Sequence, residues 1–255
     1  MVYISISINE MLIRIVNLGK KMGRIAMILQ FVLFLNSVMD AQINSEVGYT
    51  VSYIPLKVTN SIISQYNKGQ NLAENESVLK QMDKLHLING FNLGLSYRIN
   101  ALKFIGSWNS LIAGRSGTVG NVKEGTGREK NFYFATNTFS FGTEVLINHF
   151  GIGASLDYNV STLKTKLKNT SSKVLISPDT KYKFYSNRVY LIFYFRATDN
   201  FGVELKPYVS FPWGKIDVSE LSNLLVDDSS TTLNTEKLIH FGLTFSVLNG
   251  FQPEN

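Results

Sequence analysis

Hydrophobic and polar residues alternate one by one along several stretches of this chain. From Phe150 to Val160 every even position is apolar, while the odd positions carry glycine, serine, aspartate or asparagine. Successive side chains of a strand point to opposite faces, so this period of two indicates strands with one apolar and one polar face. The sequence predicts eight such strands, at approximately 46–56, 91–100, 102–113, 131–147, 149–163, 183–197, 201–213 and 237–248.

The connections between the predicted strands alternate in length. Tight turns are predicted at Asn100-Ala101, Asn148 and Thr198-Asp199-Asn200. The other connections are long polar loops, which cover 57–90, 114–130, 164–182 and 214–236. Short periplasmic turns that alternate with longer extracellular loops are typical of outer-membrane barrels. The even strand number places both termini on the periplasmic side.

Two of the long loops contain apolar residues at helical spacing. In the first loop, Asn75 is predicted to cap a helix whose apolar side carries Val78, Leu79, Met82 and Leu85. In the last loop, Ser219 is predicted to cap a helical turn with Leu221, Leu224 and Leu225. An apolar stripe at this spacing usually packs, so we expect both to lie against the barrel rim.

The first 41 residues have the pattern of a secretory signal peptide. Lys20, Lys21 and Arg24 form a positive region before the apolar run Ile25–Leu35. That run is shorter than the about 20 residues that a membrane-spanning helix needs. The sequence therefore predicts an upstream extension and cleaved signal peptide at 1–41, with cleavage after Ala41, and a barrel at 42–255.

The chemistry of the two strand faces favours a membrane barrel over a soluble one. The polar face is mostly glycine, serine, threonine and asparagine, which are small enough for the narrow interior of eight strands. The opposite face carries bulky apolar residues, which suit lipid. Aromatic residues near strand ends are predicted to form the interfacial girdles: Tyr49, Tyr53, Phe91, Trp108, Phe132, Phe211, Trp213 and Phe251.

Charged residues on the strands form a second group. By parity they are predicted to face the lumen as one layer in the periplasmic half of the barrel: Arg98, Lys103, Glu144, Arg196, Glu204 and Lys206. Charges inside a membrane protein face the interior and pair with one another. The layer is interpreted as a salt-bridged plug, and a gate or a narrow ion path is the alternative.

Composition excludes several classes of function. The chain has no cysteine, which excludes disulfides, thiol catalysis and thiolate metal sites. The net charge of +6 is scattered rather than clustered, so no nucleic-acid partner is expected. The glycine-rich stretch 114–130 lacks the ending of a phosphate loop and is predicted to be a flexible hairpin loop. No cofactor or metal site is predicted, and no serine and acid accompany His86, His149 or His240.

From about Gln42 to Phe251 the chain resembles the small outer-membrane β-barrel superfamily, of the OmpA/OmpX-like and PorT-like kind. The resemblance rests on the pattern of strands and loops and implies a barrel too narrow for a wide pore. The expected fold class is all-β: an eight-stranded antiparallel up-and-down transmembrane β-barrel with an N-terminal signal-peptide helix. The expected location is the outer membrane of a Gram-negative bacterium.

The expected function is that of a non-enzymatic outer-membrane barrel with a charge-plugged lumen, which serves envelope structure, adhesion or a secretion complex. Its partners would be outer-membrane lipid and, through the four long loops, envelope or secretion proteins. Two alternatives stay open. A soluble lipocalin-like barrel that binds a small apolar ligand requires an apolar lumen, and a lipid-modifying barrel enzyme requires serine, histidine and an acid at the rim.

Overall fold

The computed structural model describes residues 42–69, 72–99, 101–121, 126–169, 180–198, 201–226 and 234–249. The predicted signal peptide at 1–41 and Phe251 of the predicted girdle lie outside this part of the chain. No helix within the described ranges has the length and apolar character needed to cross a bilayer.

Eight long strands form a closed barrel: β1 (Gln42–Tyr53), β3 (Leu87–Ile99), β4 (Leu102–Asn121), β5 (Thr126–Ile147), β6 (Phe150–Asn169), β7 (Thr180–Arg196), β8 (Phe201–Pro212) and β11 (His240–Asn249). Each strand pairs antiparallel with the next, and β11 pairs with β1 to close the ring. β4 also pairs with β5 over its whole length. The predicted eight-stranded antiparallel up-and-down barrel is confirmed.

The side chains of the barrel strands alternate between lumen and exterior. In β1, Val47 and Val51 are exposed on the outside, whereas Glu46, Thr50 and Ser52 are buried inside. The other barrel strands repeat this pattern, with large apolar residues outside and polar residues inside. Such an inverted distribution belongs to a barrel that spans a lipid bilayer, where closure leaves no unpaired sheet edge in lipid.

The two ends of the barrel differ in the length of their connections. At the short-turn end, Asn148 has a φ of 56°, a left-handed conformation that asparagine tolerates better than most residues. Gln42 pairs with Arg98, and Asn249 pairs with Ser45, so both ends of the described barrel also lie at this end. The remaining connections and the extended strand ends form the long-loop end.

The strands β4, β5 and β6 extend beyond the membrane at the long-loop end. β5 has 22 residues and β8 has 12, whereas about 9–11 residues cross a bilayer. β4 and β5 remain paired as far as Asn121 and Thr126, and β2 (Ser77–Lys80) adds to the edge of β4. The prediction of a flexible loop at 114–130 was therefore wrong for 114–121 and 126–130, because these residues continue the two strands.

The long-loop end also contains two helices, α1 (Lys57–Asn67) and α2 (Ser219–Val226), and a small ladder between β9 (Ile216–Asp217) and β10 (Thr235–Glu236). The predicted helix in the last loop is confirmed, but Ser219 is its first residue rather than its cap, and Asp217 accepts a hydrogen bond from the Ser219 N–H. The helix predicted after Asn75 was wrong, since residues 77–80 form β2 and the helix of that loop lies earlier, at α1.

Candidate functional site

The lumen near the short-turn end contains a compact cluster of five charged side chains. Glu46 comes from β1, Lys103 from β4, Glu144 from β5, and Glu204 and Lys206 from β8. Going around the ring, β4 and β8 are separated by three strands on either side. The cluster therefore joins opposite walls of the barrel across its centre.

Each lysine of this cluster contacts all three carboxylates. Lys103 Nζ lies 2.5 Å from Glu46, 3.1 Å from Glu144 and 3.0 Å from Glu204. Lys206 Nζ lies 3.0 Å from Glu46, 3.0 Å from Glu144 and 2.5 Å from Glu204. Each carboxylate uses one oxygen for each lysine, so the three bridge the two ammonium groups. Two of the three contacts of each lysine are hydrogen bonds: Lys103 donates to Glu46 and Glu204, and Lys206 donates to Glu46 and Glu144.

The two remaining residues of the predicted lumen layer are outside this cluster of contacts. Arg98 pairs with Lys103 across the β3–β4 ladder and is half-buried, while Arg196, opposite Gly202 at the end of β7, is exposed. Sequence reasoning missed Glu46. Its parity matches that of Thr50 and Ser52, so it belongs to the polar face of β1. The predicted strand began at residue 46, and Glu46 was therefore left out of the predicted lumen charge layer.

Three inward tyrosines fill the lumen around the charges by lying across glycines of the neighbouring strand. A Cβ atom added at Gly153 would overlap the ring of Tyr190. The same relation holds for the pairs Gly202–Tyr194 and Gly242–Tyr208. The absence of a side chain at these glycines makes room for a ring, and the rings are buried. The small lumen of eight strands is thereby packed rather than open.

A second polar layer lies further from the short-turn end. Arg188 Nη2 contacts Asp157 Oδ2 at 2.8 Å, and its guanidinium lies 4.7 Å from the ring centroid of Tyr208. Ser155 donates a hydrogen bond to the other oxygen of Asp157 at 2.8 Å. A cavity of about 30 Å³ between Arg188 and Glu144 has room for only one or two water molecules.

Hydrogen-bonded amides and hydroxyls continue this filling towards the long-loop end. Asn109 Oδ1 accepts hydrogen bonds from Asn92 at 2.8 Å and from Thr50 at 3.3 Å. On the other wall, Asn159 donates to Ser186 and accepts from Thr138, both at 2.8 Å. These bonds connect different strands across the polar interior, whereas Asn109 Nδ2 and the hydroxyl of Ser140 have no hydrogen-bond partner among the described residues.

An apolar core closes the long-loop end of the barrel. We call it the cap core. It is formed by buried residues of α1, α2, the segment 82–88 and the inner faces of β4 and β5, among them Ile63, Tyr66, Met82, Phe134 and Leu225. Burial raises the pKa of the Tyr66 hydroxyl to about 12. The cap core is thus a second packed region of the barrel, separate from the charged cluster.

Side chains from distant parts of the chain hold α1 in the cap core. The Glu236 carboxylate accepts hydrogen bonds from the backbone N–H groups of Val58 at 3.0 Å and Thr59 at 2.7 Å. It thus caps the helix start, where backbone donors lack partners and an anion is favourable. Asn60 and Asn67 bond the backbone of the segment 82–88, at Leu85 and Met82.

The predicted girdle residues occupy three kinds of position. Five are exposed on the outer surface, and their assignment to the membrane interface stays a prediction: Tyr49, Tyr53, Phe91, Phe211 and Trp213. Trp108 is half-buried on the outer surface opposite Leu93. It lies mid-strand because β4 continues to Asn121 rather than ending at residue 113. The prediction that Phe132 belongs to the girdle was wrong. Phe132 shares the parity of Glu144, so it faces inward, and it is fully buried in the cap core.

The carboxylates of the charged cluster leave little room for a metal ion. Glu46, Glu144 and Glu204 approach one another closely enough to hold an ion, but Lys103 and Lys206 already occupy the space between them. The three histidines lie at separate places: His86 stacks on Tyr53, His149 is in a turn, and His240 is in β11 opposite Ser210.

Comparisons with known proteins show similarity to solved outer-membrane barrels. No family model matches the chain, and no curated protein matches it. The attachment invasion locus protein Ail of Yersinia pestis, solved with the heparin analogue sucrose octasulfate, is 14% identical with a TM-score of 0.46, over 83% of this chain and 99% of that one. The outer-membrane protease OmpT of Escherichia coli is 11% identical with a TM-score of 0.38, over 82% and 96% of the two chains. OprG of Pseudomonas aeruginosa is 9% identical with a TM-score of 0.37, over 82% and 95%. At these identities the similarity does not extend to function.

Proposed function

We propose that this chain is a non-conducting, non-enzymatic barrel of a Gram-negative outer membrane, which acts through the surface of its long-loop end. The observation that carries the proposal is that side chains fill the lumen at both ends. The five-residue charged cluster lies near the short-turn end, and the cap core lies at the long-loop end. A barrel closed in this way meets its partners through its surface outside the membrane.

The folded long-loop end supports a role in adhesion, envelope structure or a secretion complex. β4 and β5 extend past the membrane as a paired ladder, and α1 and α2 pack on a common core. A surface held in this way loses little conformational entropy on binding. The lipocalin-like alternative required an apolar lumen, and the inward-facing residues are mainly polar, with Asp157, Ser186 and Thr244 among them.

Conductance tests the closure. Purified protein inserted into a planar lipid bilayer is expected to give no stepwise conductance, because the charged cluster and the cap core block the lumen in series. A general porin prepared in the same detergent serves as the positive control. Discrete, reproducible steps from the wild-type protein would contradict the closed lumen.

Surface labelling tests the location and orientation. The chain lacks native cysteine, so single substitutions report cleanly. Lys84→Cys lies on the exposed long-loop end, and Ala197→Cys lies on the exposed short-turn end. A membrane-impermeant maleimide is expected to label Lys84→Cys in intact cells and to label Ala197→Cys only after lysis. Equal labelling of both in intact cells, or recovery of the protein without detergent, would refute the proposed location.

A further inference from the structure

The outer surface of β6 and β7 changes in composition from the membrane band to the long-loop end. Leu156 and Val189 lie in the exposed apolar band. Beyond them, the rings of Tyr158 and Tyr185 are 5.4 Å apart, and Trp213 lies 5.8 Å from Tyr185. Tyrosine and tryptophan prefer the level of the lipid headgroups, so these three rings mark the edge of the hydrocarbon on this side of the barrel.

Four outward lysines follow directly beyond these rings. We call them the lysine wall: Lys164, Lys166, Lys181 and Lys183. Lys183 is two residues past Tyr185 and pairs with Val160, while Lys181 pairs with Thr162. At about 3.3 Å per residue they lie roughly 7 Å and 13 Å beyond the ring of Tyr185 along the strand. This is the depth of the headgroup region rather than of the bulk solvent.

The surface around the lysine wall has an uneven charge. The outward positions of 131–137, 156–166 and 181–189 contain the four lysines and no aspartate or glutamate, and the next outward residue of β5, Glu129, pairs with Lys168 in the ladder. The neighbours of the four lysines in the ladder are Tyr133, Asn131 and Thr162. Lys166 Nζ lies 5.5 Å from the ring centroid of Tyr133, which holds that ammonium against the barrel. The result is a positive surface that faces sideways, into the plane of the membrane.

We propose that the lysine wall binds the phosphate groups of the glycolipid in the outer leaflet. Basic residues at the membrane surface attract anionic headgroups, and long lysine side chains reach the interface while their stems remain on apolar surface. A protein partner fits less well, because lysine is depleted in protein interfaces. This inference rests on the membrane location and orientation given under the proposed function.

Native mass spectrometry of the detergent-solubilised protein tests the inference. The probes are diphosphoryl lipid A and the same lipid with both phosphates removed. The test variant carries Lys166→Gln, Lys181→Gln and Lys183→Gln. The control removes the same charge elsewhere on the long-loop end, through the exposed residues Lys57→Gln, Lys68→Gln and Lys237→Gln. The test variant is expected to bind the phosphorylated lipid on the order of a hundredfold more weakly than wild type.

The control variant is expected to bind as wild type does, and the dephosphorylated lipid is expected to bind all three proteins equally weakly. If both variants lose lipid binding equally, the binding depends on net charge rather than on the lysine wall, and the proposal is overturned. Loss of binding to a soluble sulfated oligosaccharide, with lipid binding intact, would assign the wall to an acidic glycan instead. If the labelling of Lys84→Cys and Ala197→Cys supports the proposed orientation but the test variant binds the lipid as wild type does, this inference is wrong and the proposed function stands. Heat-modifiable migration on a gel checks that each variant is folded.

Discussion

Replacing Lys103 with methionine is expected to lower the free energy of unfolding of the barrel by about 3–5 kcal/mol. Lys103 contacts three buried carboxylates at 2.5–3.1 Å. Methionine has a similar length but no donor and no charge, so Lys206 alone would face three anions. A buried charge that loses its partner costs far more than an exposed one. A denaturant titration of the refolded protein in detergent micelles measures the change.

Two further variants test whether the loss of stability in Lys103→Met comes from the unbalanced buried charge. Lys84 is exposed at the long-loop end, so Lys84→Met is expected to change stability by less than about 0.5 kcal/mol. Adding Glu204→Gln to Lys103→Met removes one of the three carboxylates and is expected to recover part of the loss. Equal unfolding midpoints for Lys103→Met and Lys84→Met would show that the cluster contributes nothing to stability.

Gly153→Val is expected to destabilise the barrel by about 1–3 kcal/mol, the usual range for overpacking an interior. The first carbon of the new side chain would meet the ring of Tyr190, which lies across Gly153. Tyr190 is buried in the lumen, and the cavity of about 30 Å³ beside it is too small to receive the displaced ring. The midpoint of thermal unfolding and the near-ultraviolet circular dichroism of the tyrosines are the measurements.

Gly106→Val is the matched control for that substitution. Gly106 also lies within a barrel strand, but it faces outward, and an added Cβ would come no closer than 3.7 Å to Phe141. Valine also favours strands more than glycine does. Gly106→Val is therefore expected to leave stability unchanged or slightly raised. If both substitutions destabilise equally, the glycine-to-tyrosine packing is not what fills the lumen.

The architecture of the barrel was predictable because it depends on local alternation. Each strand carries its own period of two, and the short turns interrupt that period at positions such as Asn148. The orientation of the faces followed from residue size. The same parity rule also contained two facts that were missed. Glu46 and Phe132 both share the inward parity of the lumen residues, and both lie near the end of a predicted strand. Glu46 was therefore left out of the charged layer, and Phe132 was wrongly assigned to the girdle.

The long-loop end was much less predictable because it is held by contacts between distant residues. The start of α1 is capped by Glu236, which is 177 residues away from Thr59. The strands β4 and β5 continue through a glycine-rich stretch in which Gly117 leaves space for the ring of Tyr66. The sequence pattern within one loop does not indicate which distant residues will contact it. Propensity alone therefore placed the helix of the first loop in the wrong segment and treated 114–130 as a loop.

The bridging geometry of the five-residue cluster has a consequence for assembly of the barrel. Glu46 enters from β1, whereas its partners enter from β4 and β8, and β1 is held in place by its seam with β11. A barrel with that seam open would not hold Glu46 against both lysines, so each ammonium group would lose one of its three carboxylate contacts. The complete set of contacts among three carboxylates and two ammonium groups therefore forms only when the last seam closes with the correct strand number and register.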